Sequence, residues 1–432
     1  MSTVTEQARA IMEGEKLKEL SLEINQRDRG ILQELAREVR EIAAQEIQEK
    51  KRKLWYALNA LKPIRPVVFC DPENGWNEIV PPESLRCEGP LAREWEMKLR
   101  KEIFWGQFMG DDKVIEPYFD VPYLYSEGDW GMREQKIGGT GGGSYRWEAP
   151  LKDYRDLGKI HFPEIEVDHE GTKKMIALAE DILGDFLKVR LKGSFWWSLG
   201  MTWTLVNLRG LEQIMYDIYD HPQELHHLMI LLRDGHLRKL SFLEENNLLS
   251  LNNDGTYVGS GGFGYTHELP SPDFDGTRTR TQDLWGFAES QETIGLSPQA
   301  FAEFVFPYQY PILERFGLNC YGCCEPLDKR WDVVKKFPKL RRISVSPWAN
   351  RKKMAEYLEN RYIFSLKPNP AYLAVPRIDE EFIRKELRKD LETTRGCVVE
   401  IIMKDNHTID RNPENVIRFC QIAREEIERV RS

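Results

Sequence analysis

The sequence predicts an α/β protein built as a (β/α)₈ TIM barrel with an N-terminal helical extension and insertions. Three observations lead there. Eight short runs rich in β-branched and aromatic residues alternate with helical patterns over residues 65–432, the rhythm of repeated βα units. The first sixty-odd residues differ, with apolar residues at helical spacing amid dense charge. Polar and thiol-bearing residues gather where the runs stop, and a barrel places its chemistry at the C-terminal ends of its strands.

In the extension, residues 1–64, the apolar series Leu17, Leu20, Ile24, Ile31, Leu32, Leu35, Val39, Ile42 and Ile47 marks two or three amphipathic helices. A helical cap or a dimer arm is the expected role, and a homodimer is one expected assembly. Beyond Pro63 and Pro66 the barrel unit, residues 65–432, begins. Its predicted strands are 65–70, 188–193, 249–253, 284–288, 317–321, 340–345, 362–366 and 397–403. A doubly wound open sheet is the alternative. No G-x-G-x-x-G run lies between a strand and a helix, so nothing marks a dinucleotide site.

The 432 residues are 41% hydrophobic and 30% charged, with no apolar run long enough to span a bilayer. A soluble cytoplasmic protein is expected. Seven cysteines in such a length suit reduced thiols and metal ligands better than a disulfide framework. The formal charge of −9 argues against nucleic acid as the main partner, since phosphate binding calls for a basic patch.

The densest chemistry is the run 318–326, where Cys323, Cys324 and Glu325 follow the fifth predicted strand. Thiolates beside a carboxylate suit Zn²⁺, although a strand carrying small buried thiols has the same look. Other strand ends carry Asn253 and Asp254, Glu289, Lys367, and Lys404 with His407. Asn and Asp are also ordinary turn residues, so each end is weak alone. As a set they describe an open zinc site with Cys323, Cys324, Glu325 and His407 as ligands and Glu289 in reserve. Five glycines between Gly138 and Gly143 lack a following G-K-[ST], so a lid or surface loop is expected there rather than a phosphate cradle.

The stretches Gly193-Ser194-Phe195-Trp196-Trp197 and 208–222, then 251–255 and Pro413-Glu414-Asn415-Val416, resemble the uroporphyrinogen decarboxylase superfamily over about residues 180–432. That resemblance implies a (β/α)₈ barrel. It also implies one of two chemistries, porphyrinogen decarboxylation or zinc-dependent methyl transfer to or from a corrinoid protein. The arginine-rich N-terminal motif of the decarboxylases is missing, and Tyr321-Gly322-Cys323 stands where the methyltransferases carry H-x-C. Cys323 therefore matches a zinc ligand by position. The expected histidine is Tyr321, and Asn406-His407 stands in place of the second cysteine.

The helical N-terminus, the segment 138–150 and the strand 399–405 further resemble the branch that demethylates aryl methyl ethers. The implied reaction moves a methyl group from a methoxylated aromatic to the cobalt of a corrinoid (cobalamin) carried on a separate protein. Zinc would then stabilise the departing oxygen. Lys404 or Tyr257 is placed to protonate it, and Trp197 and Trp285, with Trp196 and Trp203, are candidates to flank the ring beside Asn253 and Asp254. The alternative is a cofactor-free decarboxylase of a uroporphyrinogen-like polycarboxylate, with Arg278, Arg280 and Arg341 as its carboxylate binders.

Overall fold

A computed structural model describes residues 21–138 and 145–431. Its strands are β1 (Val67–Cys70), β2 (Tyr118–Val121), β3 (Tyr125–Glu127), β4 (Gln135–Gly138), β5 (Tyr145–Glu148), β6 (Ile165–Val167), β7 (Lys188–Leu191), β8 (Trp285–Ala288), β9 (Leu318–Tyr321), β10 (Leu340–Val345), β11 (Ile363–Leu366) and β12 (Val398–Met403). Six of them form one parallel sheet in the order β1-β12-β11-β10-β9-β8. β2 and β7 pair in parallel apart from it, while β3–β6 and β4–β5 are antiparallel. Seven of the eight predicted strands are present, trimmed by up to two residues at an end.

The predicted strand at 249–253 is not a strand. Asn252 explains the difference. Its side-chain Oδ1 accepts from Trp285 N at 2.9 Å and its Nδ2 donates to Trp285 O at 3.1 Å, so an amide side chain makes the contacts a ladder would have made. Five strands, β2 to β6, are missing from the sequence reading; β2, the one that pairs in parallel, is four residues between Pro117 and Pro122 that carry a charge at Asp120. Asp120 is held by Arg190 of β7 at 2.6 Å.

β9, β11 and β12 read as near-continuous apolar runs because both sides of the sheet are covered. One side packs on helices, among them Glu414–Arg431 against β1. The other side is filled by a hairpin closed by the bridge Tyr257–Phe263, whose tip is Gly259-Ser260-Gly261-Gly262. The hairpin lies close enough that a Cβ on Gly259 would sit 2.8 Å from Cys320 Cβ, and one on Gly261 2.5 Å from Ile402 Cγ2. Gly261 also has φ +132°, a backbone that side chains resist. Gly261→Ala is therefore expected to cost at least ~2 kcal/mol, combining backbone strain with overpacking. Urea unfolding of the variant measures it, and an unchanged midpoint would show that the hairpin tip is not tightly seated.

The helices Gln26–Ala43 and Glu46–Asn59 share the core of the main sheet. Ile31, Leu32, Leu35, Val39 and Ile42 are buried as expected, but Ile47 is exposed, and Leu17 and Leu20 lie outside the described residues. Asn59 is buried and donates to Phe263 O at 2.9 Å and Tyr265 O at 2.7 Å. The second helix thus ties directly to the inner hairpin. Of the glycine-rich run, residues 139–144 lie outside the described residues, between the paired strands β4 and β5. No described helix is long and apolar enough to cross a membrane.

One packing choice sets an acid limit. His236, in the helix Pro222–Glu245, has both ring nitrogens buried without a hydrogen-bond partner and packs against Trp130 at 5.7 Å. Burial, and secondarily the Lys239 ammonium, pushes its pKa down to about 3 from an ordinary 6.5. The unfolded chain takes up a proton below about pH 6.5 that the folded chain refuses, so this group costs about 1.4 kcal/mol of stability per pH unit below that point. Between pH 7 and pH 5 the protein is expected to lose about 2 kcal/mol through it, and His236→Leu to escape that loss. Equal pH dependence in the two proteins would contradict this.

Candidate active site

The C-terminal ends of β8, β9, β11, β12 and β1 deliver Glu289, Cys323 with Cys324, Lys367, Lys404 with Asp405, and Glu73. The hairpin tip contributes Ser260. Ser260 Oγ lies 3.1 Å from Cys323 Sγ and 3.3 Å from Lys404 Nζ, so one hydroxyl links the thiol to the ammonium. Lys404 Nζ sits 3.5 Å from both Glu73 Oε1 and Asp405 Oδ1. All of these except Cys324 and Asp405 are buried, so the site meets its surroundings on the side of those two.

The two thiols are unequal. Cys323 Sγ and Cys324 Sγ are 3.7 Å apart. Donation from Cys324, helped by the nearby Lys404 charge, pulls the Cys323 thiol below its ordinary range against the opposing effect of burial. The same contact, together with burial, pushes Cys324 well up. Of the two, Cys323 is the thiol that loses its proton more readily, and Cys324 the one that keeps it. Lys404 is held charged by its acidic neighbours despite burial.

Glu325 serves as a clamp. Its Oε2 accepts from Cys323 N at 2.8 Å and its Oε1 from Ser290 N at 2.8 Å, joining the tips of β8 and β9 and fixing the turn that presents the thiols. Glu289 accepts from Ser198 Oγ at 3.0 Å and Gln291 N at 2.8 Å. Burial, then Glu292 and Glu325, push its carboxyl well up, which makes it a buried acid. The Tyr257 phenol is likewise pushed up by burial, with Lys404 opposing.

Of the expected ring-flanking residues, Trp197 and Trp285 join Cys323 and Cys324 in one apolar cluster with Phe287 and Val258. Trp197 Nε1 is buried without a hydrogen-bond partner. Trp196 packs instead on Phe316, and Trp203 is exposed. Asn253 donates to Leu269 O at 2.6 Å. Asp254 is bound by Arg190 at 3.0 Å and Lys192 at 2.9 Å, beside a cavity of about 110 Å³ lined by Glu102, Lys113 and Glu116. None of the contacts of Asn253 and Asp254 is with the thiols. The three arginines expected for a polycarboxylate are engaged elsewhere: Arg341 with Glu268, Arg280 with Asp273 and Asp283, and Arg278 with Glu244 O.

His407 is exposed, and the carboxylate near the thiols comes from Asp405, two residues earlier. Cys324 Sγ lies 3.7 Å from Asp405 Oδ2. Two 3.7 Å separations are those of donors around a tetrahedral ion with bonds of about 2.0–2.3 Å. In the present arrangement the triangle of donors is not closed, and among the described residues no three His, Cys, Asp or Glu side chains gather as a metal-holding group. The donor chemistry of Cys323, Cys324 and Asp405 nonetheless fits zinc, with Asp405 partly exposed beside the thiols.

Ser260 and Glu73 were missed in the sequence, while Lys367 and Asp405 stood at predicted strand ends without a role assigned to them. The run Gly259-Ser260-Gly261-Gly262 was the available signal for Ser260, because clustered glycines mark close backbone approach. Lys367 and Asp405 each stand within two residues of a strand end and were legible by position. Neither a protein-family model nor a curated protein matches the chain.

Proposed function

We propose that this chain is a zinc-dependent methyltransferase that moves a methyl group from a methoxylated aromatic to the cobalt of a corrinoid protein. The observation that carries the reading is Cys323 beside Cys324 and Asp405, with Trp197 and Trp285 in the apolar cluster that Cys323 and Cys324 share. Soft donors next to flat apolar rings suit a metal together with an aromatic ether. We further propose that the six-stranded sheet and the β2–β7 pair are arcs of one (β/α)₈ barrel. Support comes from the edges: Asp112 N donates to Val68 O beside β1, and Leu199 N donates to Phe287 O beside β8. The covering segments lead, respectively, into β2 and out of β7.

Cys323, Cys324 and Asp405 would hold a zinc whose chemistry would be that of a Lewis acid, stabilising the charge on the departing oxygen. Ser260 and Lys404 orient the Cys323 sulfur and balance the negative charge around it. Glu325 fixes the loop that carries both thiols, and Glu289, its carboxyl pushed up by burial, lies in the wall. Trp197 and Trp285 exclude water and confine the ring. The cobalt acceptor arrives on its own protein, which requires a site that stays approachable on the Cys324 and Asp405 side. A chain whose described cysteines are all free belongs in a reducing compartment, the cytoplasm, where such thiols persist.

The test is anaerobic incubation of zinc-loaded protein with cob(I)alamin and a methoxylated benzoate, followed by absorbance. Methylcobalamin formation supports the reading. Carbon dioxide release from a porphyrinogen with no methyl transfer would replace it with the decarboxylase.

A further inference from the structure

We propose that Lys367 is the acid–base residue of this site, giving its proton to the oxygen that departs, while Lys404 remains a fixed positive charge. The inference rests on the methyl-transfer reading above. Both lysines directly follow a strand, β11 and β12, and both are buried. Their partners separate their roles. Lys404 faces two carboxylates, Glu73 and Asp405, and the Ser260 hydroxyl.

Lys367 Nζ instead donates to two neutral oxygens, Ser260 O and Ser365 Oγ, the latter at 3.1 Å. On the hairpin side Ser260 O accepts from it, and it lies so close to Gly261 that a Cβ there would sit 2.8 Å from Nζ. The charged groups around it are Lys404 and Asp405 at the tip of β12, Glu400 within β12 and Cys323 beyond β9. Glu400 is already engaged by Arg342 at 2.9 Å. None of the donors assigned to zinc makes a hydrogen bond to Lys367.

An ammonium in a dry site, bonded to neutral acceptors and close to a second cation, gives up its proton readily. Burial first, then the Lys404 charge, brings the pKa of Lys367 down to about 8. A phenol has an ordinary value of about 10, so transfer from Lys367 to a phenolate no longer held by the metal runs downhill. The step balances. The O–CH₃ bond breaks and the methyl group leaves with the external cobalt nucleophile. The bonding pair stays on oxygen, which takes the Nζ proton, and solvent then returns a proton to the neutral amine.

Two measurements test this. Competitive labelling with acetic anhydride between about pH 6 and pH 11, read by peptide mass spectrometry, follows each amine across its ordinary range. Lys367 is expected to become reactive near pH 8 and Lys404 to stay unlabelled. Reaction of Lys367 only near its ordinary value, or none at any pH, overturns the proposal.

In the second, Lys367→Met is expected to slow methyl transfer from a methoxyphenol by about a hundredfold or more. It should slow transfer from a nitrophenyl methyl ether far less, since that leaving group needs no proton, and zinc content should be unchanged. Lys367→Arg, which keeps the charge but cannot release it, should behave like the methionine variant. Equal losses on both ethers overturn the assignment. Absence of methyl transfer in the unaltered protein would defeat the methyltransferase reading itself, and the labelling result would still decide whether Lys367 is the labile amine.

Discussion

Replacing Arg342 by methionine is expected to destabilise the fold by about 3–5 kcal/mol, the cost of leaving a buried charge without its partner. Arg342 sits in β10 facing the hairpin, with Nε 2.9 Å from Glu400 Oε1 of β12 and Nη2 donating to Asn59 Oδ1 at 2.7 Å. Its guanidinium also lies 5.3 Å from the Trp285 ring. One side chain thereby links β10, β12, β8 and the helix Glu46–Asn59. The Nε–Glu400 approach is an ion-pair contact rather than an aligned hydrogen bond, since neither Glu400 oxygen counts as hydrogen-bonded. Its value therefore lies in charge balance. In Arg342→Met, Glu400 is left buried and negative. Combining it with Glu400→Gln removes the uncompensated charge and should recover more than half of the loss. Urea unfolding of the two single variants and the double variant gives the coupling, and additive losses would show that the two residues act independently.

The second large effect belongs to Cys323. Cys323→Ala is expected to strip zinc and lower methyl transfer by about a hundredfold or more, since even outer partners of metal ligands are worth ten- to a hundredfold. In metal-free protein the same substitution should also remove a thiol that ionises below its ordinary range. Cys324, Ser260 and Lys404 offer Cys323 protons or positive charge, and the first and last of these draw its titration down. Ultraviolet absorbance of the thiolate against pH measures this. A variant that keeps full metal occupancy and an unchanged thiolate signal would remove Cys323 from the centre of the site.

Much of the parallel sheet was legible because its strands are short apolar runs separated by helical patterns, and burial on both faces forces that composition. β2 escaped because its four residues include Asp120, whose charge is neutralised by Arg190 from β7, a contact that sequence distance conceals. The run 249–253 misled because Asn252 replaces the ladder with its own amide. Position at a strand end marked Cys323, Cys324, Glu289 and Lys404, which the structure brings to neighbouring strand ends. It could not separate Glu325, which spends both oxygens on backbone N–H groups, from a ligand. Nor could it choose between Asp405 and His407, because the left-handed backbone at Asp405, φ +63°, decides which way the chain turns after β12. The inner hairpin, and Ser260 with it, is absent from the sequence reading because glycine-rich sequence carries no side chains from which to read a packing face.

The most direct test of the zinc assignment is X-ray absorption at the zinc edge on the zinc-loaded protein. About one zinc per chain, with two sulfur neighbours at about 2.3 Å and oxygen completing the shell, is the expected result. Zinc bound through nitrogen and oxygen alone, or no tightly held zinc, would contradict it.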